Sequence, residues 1–173
     1  MLRVDVRELA RGPVDTPGEI PVTDPLFEGL DFTLAEPVHV AGRLEDVGDG
    51  RFYWHGTLAT TAAASCRRCL EPVTAPIRAE VRALFTQDPD ALEDPDSYPL
   101  ATDATEIDLT AAVREELILA APHYVLCRED CRGLCPRCGK DLNAGPCDCA
   151  PAPDPRWAAL AAVKAKLATE RGK

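Results

Sequence analysis

The chain has few aromatic residues, few histidines and no long apolar stretch. Aromatic residues make up 5% of its 173 residues, and there are three histidines. No run of about 18 apolar residues occurs, so no membrane span is expected. Residues 1–20 contain acids and no apolar run, which is atypical of a signal peptide. These features predict a cytoplasmic protein with no membrane partner.

Basic charge is also scarce. The chain has 19 Lys and Arg residues against 29 Asp and Glu residues, for a net charge of −10. Lys and Arg supply most nucleic-acid affinity by neutralising phosphates, so this balance disfavours a large nucleic-acid surface and favours basic protein partners or solubility. Residues 88–108 hold eight acids and no Lys or Arg. We interpret them as a solvated linker, with an acidic arm for a basic partner as the alternative.

Cysteine, by contrast, is abundant. Six of the eight cysteines lie in residues 127–149, and the other two, Cys66 and Cys69, form a C-x-x-C unit. Cytosolic thiols stay reduced, so clustered cysteines there bind metal more often than they form disulfides. Zinc is held by four thiolates in a tetrahedron at about 2.3 Å. The pattern therefore predicts a zinc cofactor.

The spacing suggests how the cysteines divide. One local four-thiolate site is expected from Cys135, Cys138, Cys147 and Cys149, since Gly139 suits a tight turn after the second cysteine. The remaining four, the number that a second zinc site needs, are Cys66, Cys69, Cys127 and Cys131. Alternatives are a single ion shared by the two C-x-x-C units, buried unligated thiols, iron–sulfur ligation, and His123 as a substitute ligand.

The chain shows no pattern typical of an enzyme. It has no His/Glu set of the catalytic zinc type, no glycine-rich phosphate loop and no nucleophile–base arrangement. No small-molecule substrate is expected. The basic residues beside the cysteines are candidate RNA or partner contacts: Arg67, Arg68, Arg132 and Arg137.

Hydrophobic periodicity indicates the fold class. Alternating residues predict strands near 32–47, 51–61 and 73–86, with the first C-x-x-C unit at the tip between two of them. Asp108 is predicted to cap a helix over 109–121 that Pro122 ends. A last helix is predicted from Pro155. We therefore expect an α+β fold: an antiparallel β-meander with a helix and a C-terminal Cys-rich zinc module, ending in a short helix.

The expected domains follow from these elements. They are an N-terminal β-rich domain over 1–86, an acidic linker or loop over 87–107, and a region over 108–173. That last region would combine the helix, the Cys-rich zinc-binding module and the C-terminal helix.

Several stretches, in order along the chain, together resemble the YceD family. They are CRRCLEP at 66–72, IDL at 107–109 with VREEL at 113–117, CRGLCPRCG at 131–139 with DLN at 141–143, and DPRW at 154–157.

The resemblance implies a bacterial, cytoplasmic, non-enzymatic factor in large ribosomal subunit assembly and large-subunit (23S) rRNA accumulation. The family is commonly encoded beside a small, often zinc-binding, large-subunit ribosomal protein. The implied partner is that protein or a pre-large-subunit particle, with rRNA contact as a further expectation. Some members keep the first C-x-x-C unit and lose the later cysteines, which favours a stabilising role for the C-terminal metal site.

Two other functions stay open at this point. One is a direct RNA-binding zinc-ribbon protein, which would need the basic residues to share a face. The other is a redox-sensitive zinc chaperone, because a C-x-C unit lies near a C-x-x-C unit, although their order is reversed relative to that chaperone class.

Overall fold

A computed structural model describes residues 2–88, 90–149, 156 and 160. The chain forms two compact units, Met1–Cys131 and Arg132–Lys173. The helix Thr110–Ala120 packs on the sheet of the first unit. The sequence-based domain limits of 86 and 107 remain a prediction.

The first unit contains all the strands and helices with described bounds. Two 3-10 turns lie at Pro25–Phe27 and Asp90–Glu93. The elements in order are β1 (Arg3–Asp5), α1 (Val6–Leu9), β2 (Val14–Asp15), β3 (Gly18–Ile20), β4 (Thr33–Leu34), β5 (Val38–Gly48), β6 (Arg51–Ser65), β7 (Pro72–Thr86), β8 (Ser97–Pro99), β9 (Glu106–Asp108) and α2 (Thr110–Ala120).

Three long strands form the centre of the main sheet. Strands β5, β6 and β7 pair antiparallel in sequence order, and β6 pairs with β7 along its whole length, from Arg51↔Thr86 to Ser65↔Pro72. Short strands complete the sheet: β2 and β3 pair with β5, β4 with β6, and β8 runs parallel to the end of β7. The alternating sequence buries one face of each strand and exposes the other, as the period of two requires.

The core is organised around Trp54, whose side chain is fully buried. The Nε1–H group of Trp54 donates to Thr16 Oγ1 at 2.9 Å, which satisfies the indole's one polar group. The indole lies against the paired glycines Gly42 and Gly56. A Cβ atom on Gly42 would lie 2.6 Å from the Nε1 atom. Gly42 is therefore required for the close approach of the ring, and Gly56 for the close approach of the neighbouring backbone, because a Cβ atom there would lie 2.8 Å from Ala41 O.

Helix α2 covers part of the buried face. Its residues Ala112, Val113 and Leu117 belong to the core, and Asp108 Oδ1 accepts the backbone N–H of Thr110 at 3.0 Å. The predicted helix is confirmed, with bounds of Thr110–Ala120. Its N-cap is Leu109, which makes no side-chain cap hydrogen bond, so the prediction that Asp108 caps the helix is wrong by one residue. None of the described helices has the length and apolar character needed to cross a membrane.

The acidic segment differs from a simple linker. It contains β8, which pairs with β7, and β9, which pairs with β1. Three-residue strands of this kind carry too little alternation to be seen in sequence, and their partners lie outside the segment. The predicted C-terminal helix lies outside the described residues, apart from Arg156 and Leu160.

Candidate metal centres

The first cysteine group forms where the tip of the β6–β7 hairpin meets the chain after α2. Its four Sγ atoms, from Cys66, Cys69, Cys127 and Cys131, lie within 4.8 Å of one another. The Sγ atoms of Cys66 and Cys131 are 3.7 Å apart, and those of Cys69 and Cys127 are 3.6 Å apart. A tetrahedron with metal–sulfur bonds of about 2.3 Å has edges of about 3.8 Å. The spacing of the sulfurs thus fits one tetrahedral ion.

The hairpin tip has the backbone of a metal-binding knuckle. The N–H of Leu70 donates to the carbonyl of Cys66 at 2.9 Å, and the N–H of Cys66 donates to Glu71 O at 2.9 Å. Leu70 has a φ of +64°, a left-handed conformation that is costly for a side chain with a Cβ atom. The turn directs both cysteine side chains inward, and both residues are buried.

Two neighbouring arginines connect this tip to the segment after α2. The backbone N–H of Arg67 donates to Val125 O at 2.9 Å. The guanidinium of Arg68 donates to the carbonyls of Cys131, at 2.7 Å, and Glu129, at 3.3 Å. These bonds hold the segment that carries Cys127 and Cys131 beside the tip. Sequence reasoning treated Arg68 only as a contact residue and missed this positioning role.

Cys127 and Cys131 are joined by a turn. The N–H of Cys131 donates to Arg128 O at 3.1 Å. Cys131 is buried and Cys127 is exposed.

The second cysteine group lies entirely within the second unit. Its Sγ atoms, from Cys135, Cys138, Cys147 and Cys149, also lie within 4.8 Å of one another. The knuckle repeats the first one, because the N–H of Gly139 donates to Cys135 O at 2.9 Å and Gly139 has a φ of +72°. Glycine adopts this conformation without the cost that Leu70 bears.

Polar contacts join the two segments of chain that flank the turn between Cys135 and Cys138. The N–H of Cys135 donates to Lys140 O at 2.8 Å, and Leu134 forms an antiparallel bridge with Asp141. Asn143 Oδ1 accepts the N–H of Arg132 at 2.8 Å. The short loop is therefore shaped by its own backbone and side chains.

The thiols of each group are electrostatically unequal. In the first group, the backbone N–H of Cys69 is the main cause that lowers the pKa of Cys66 to about 6. Desolvation, with the neighbouring thiols, raises the pKa of Cys127 to about 12. In the second, the backbone N–H of Cys138 lowers the pKa of Cys135 to about 6, whereas the Cys138 thiol and desolvation raise the pKa of Cys149 to about 12.

The cause of this split is local. Backbone N–H groups stabilise one thiolate, and its negative charge opposes ionisation of the neighbouring thiols. A divalent cation bound to all four sulfurs would favour the ionised form of each. Each group can therefore hold a metal ion, and its all-sulfur donor set suits zinc in a closed structural site.

The structure brings the eight cysteines together in the two groups that spacing suggested. Among the described residues, neither group includes a histidine, so His123 is not brought into either one. Cys66 and Cys69 do not share a group with Cys135 and Cys138, as the single-ion alternative required.

The four basic candidate residues are all exposed. Arg67 lies over the ring of Tyr124, with its guanidinium carbon 5.3 Å from the ring centroid. Arg68 is engaged by the two carbonyls described above. Arg132 and Arg137 belong to the second unit. Their proposed contacts with RNA or a partner remain predictions.

Comparison with known proteins places these features in a family. The family model described as large ribosomal RNA subunit accumulation protein YceD matches residues 54–164, a range that includes both cysteine groups. An uncharacterized protein of Mycobacterium tuberculosis is 36% identical over 122 residues, which cover 68% of this chain and 58% of the relative. The chain therefore matches only a little over half the length of that relative.

Two further relatives are more distant. An uncharacterized protein of Bacillus subtilis, YlbN, is 32% identical over 113 residues, or 64% of each chain. The maize large ribosomal RNA subunit accumulation protein YCED homolog 1, chloroplastic, is 28% identical over 174 residues, covering 83% of this chain and 54% of the relative. No solved structure matches the chain significantly. On the match over residues 54–164, this chain belongs to the YceD family of large ribosomal RNA subunit accumulation proteins.

Proposed function

We propose that this protein is a non-enzymatic factor in large ribosomal subunit assembly that supports accumulation of 23S rRNA in the bacterial cytoplasm. Its partner would be a small basic large-subunit ribosomal protein or a pre-large-subunit particle. Membership of the YceD family carries this proposal. The name of the maize relative, a large ribosomal RNA subunit accumulation protein, supports the same role.

The acidic segment supports a basic protein partner. Seven of its eight acids are exposed, and the eighth, Asp108, is half-buried. Within this segment, the Tyr98 hydroxyl donates to Glu115 Oε2 at 2.7 Å. Burial, followed by the charges of Asp96 and Glu115, raises the pKa of Glu116. A carboxyl whose ionisation is opposed by its neighbours lies in a negative field, and a basic partner would relieve that field.

Both cysteine groups are proposed to bind zinc and to act structurally. On this proposal, the chain would contain an antiparallel β-meander whose tip is held by one zinc ion, and a C-terminal module built around a second zinc ion. The all-thiolate donor sets support this role, because a catalytic zinc keeps a position for water or substrate.

The partner proposal can be tested with purified components. The tagged, zinc-loaded full chain would be incubated with purified large-subunit ribosomal proteins, and bound proteins identified by mass spectrometry. We expect a small basic protein to bind, and the neutralising variant Asp90→Asn/Glu93→Gln/Asp103→Asn to weaken it several-fold. A matched control changes three exposed acids elsewhere: Glu8→Gln, Asp31→Asn and Glu129→Gln.

If the two triple variants weakened binding of the basic protein equally, net charge alone would explain the effect. That result would contradict a specific role for the acidic segment. A depletion strain provides the cellular test. We expect it to lose large-subunit rRNA relative to small-subunit rRNA. Unchanged subunit ratios in that strain would contradict the assembly role.

A further inference from the structure

The exposed face of the main sheet carries a row of basic side chains. Arg43 pairs with His55 across β5 and β6, and His55 pairs with Arg82 across β6 and β7. All three are exposed. Residues directly opposite on neighbouring strands are close, so the three side chains form a continuous row across the sheet.

The row borders a shallow depression of about 520 Å³. Small residues line its floor, including Ala41, Gly56 and Thr57. On one side, the rings of Tyr53 and His55 are stacked with centroids 5.9 Å apart and an interplanar angle of 27°. The surface thus combines two adjacent aromatic rings, open space beside them, and arginines at both ends of the row.

The charge of this face differs from that of the whole chain. The charged side chains of the three long strands are four arginines (Arg43, Arg51, Arg78 and Arg82) and three acids (Glu45, Asp46 and Glu80), all exposed or half-buried. This gives +1 before any histidine is protonated, in a chain with a net charge of −10.

Acids at the borders do not remove the arginines from solvent. Arg43 lies 3.2 Å from Asp15, and Arg82 lies 3.8 Å from Glu80. The side chains in both pairs are at least 49% exposed. Exposed ion pairs contribute little stability, so a phosphate can replace the carboxylate at small cost.

We propose that this sheet face, defined by Arg43, Tyr53, His55 and Arg82, binds single-stranded RNA. Unpaired bases stack on the Tyr53 and His55 rings, as bases do on aromatic side chains of other single-strand-binding surfaces. The guanidinium groups of Arg43 and Arg82 bind phosphates of the same strand. The inference rests on the proposed assembly function only for the ribosomal source of the RNA, and the surface is distinct from the acidic segment.

The test uses the zinc-loaded full chain and a fluorescein-labelled 12-residue oligouridine, with binding followed by fluorescence anisotropy. Arg43→Gln/Arg82→Gln should weaken binding and flatten the dependence of log affinity on log salt concentration by about 1.4, because each phosphate contact on a single strand contributes about 0.7. Tyr53→Ala/His55→Ala should weaken binding about 5-fold to 100-fold with a nearly unchanged salt slope, since stacking is not ionic.

The control is Arg7→Gln/Arg11→Gln, which removes two exposed arginines elsewhere in the same unit and should leave binding within about twofold if ordinary surface charges contribute little. Circular dichroism and the urea midpoint of each variant verify folding. If Tyr53→Ala unfolds the chain, His55→Ala alone supplies the stacking test.

Wild-type protein that does not bind the oligouridine at 50 mM salt would overturn the proposal. So would equal losses in the sheet-face and control variants, or a loss confined to Arg67→Gln, which would locate RNA at the knuckle. None of these results bears on capture of a ribosomal protein by the acidic segment, so the two proposals fail separately.

Discussion

Removing the first cysteine group should destabilise the first unit by an amount that depends on the length of chain between the linked cysteines. In the proposed zinc site, the metal joins Cys69 to Cys127, which are 58 residues apart in the chain. Closing a loop of that length with a cross-link lowers the entropy of the unfolded chain, equivalent to about 4 kcal/mol at room temperature. The change Cys66→Ser/Cys69→Ser removes the link and should lower the free energy of unfolding by an amount on that scale.

The assay is urea unfolding followed by the fluorescence of Trp54, which is fully buried in the first unit. Because the chain has two tryptophans, all proteins would carry Trp157→Phe so that Trp54 alone reports. Metal content measured on the same samples should fall from two zinc ions per chain to one.

The matched control is Cys147→Ser/Cys149→Ser. It also removes two ligands and should also reduce the zinc content to one, but those cysteines belong to the second unit. The Trp54 transition should then stay at its original urea concentration. An equal shift in both double variants, or a first variant that keeps two zinc ions, would refute the assignment of the two centres.

Three other perturbations follow from local geometry. Leu70→Gly should stabilise the first knuckle by about 1 kcal/mol, because glycine tolerates the positive φ of this residue; the apparent affinity for zinc and the urea midpoint measure it. Gly42→Ala should lower the free energy of unfolding by about 1–3 kcal/mol, because the new Cβ atom would overlap the Trp54 indole; thermal unfolding measures it. Burial opposes ionisation of Asp108, but hydrogen bonds from Thr110 and Arg3 outweigh it and lower the pKa of this carboxyl. The resulting stability is present above its unfolded-state pKa and lost as pH falls through the folded-state value, so Asp108→Asn should flatten the acid side of the stability–pH curve.

Each of these has a discriminating outcome. A destabilised Leu70→Gly protein would show that the exposed leucine side chain contributes more than its backbone conformation costs. An unchanged Gly42→Ala protein would mean that the indole can shift freely, against the close approach described. If Asp108→Asn leaves the acid limb of the curve unchanged, other carboxyls control it.

The limits of sequence reasoning follow from the distance between interacting residues. Strands β5 to β7 were anticipated because each carries its own alternation, and α2 because its apolar spacing and terminating proline are local. Strands β8 and β9 were not anticipated. Each has three residues and is fixed by a partner elsewhere in the chain, β7 for one and β1 for the other.

The exposed sheet face was also not predictable from the sequence, because its residues lie on three different strands. Nothing near His55 in the chain indicates its neighbours on the adjacent strands. Only the register of β5, β6 and β7 places Arg43 and Arg82 on either side of it. The alternation in β6 could have indicated that Tyr53 and His55 share a face, but not what flanks them.

By itself, the sequence determined the family, the acidic balance and the cysteine group from Cys135 to Cys149, because ligands within 15 residues can meet through one local turn. It left Cys66, Cys69, Cys127 and Cys131 as a second candidate set by their number, with alternatives open, and the tertiary structure decided that these four meet. That meeting depends on the length of the β6–β7 hairpin, the packing of α2 and the hydrogen bonds of Arg67 and Arg68. Such contacts join residues about 60 positions apart, and spacing along the chain does not encode them.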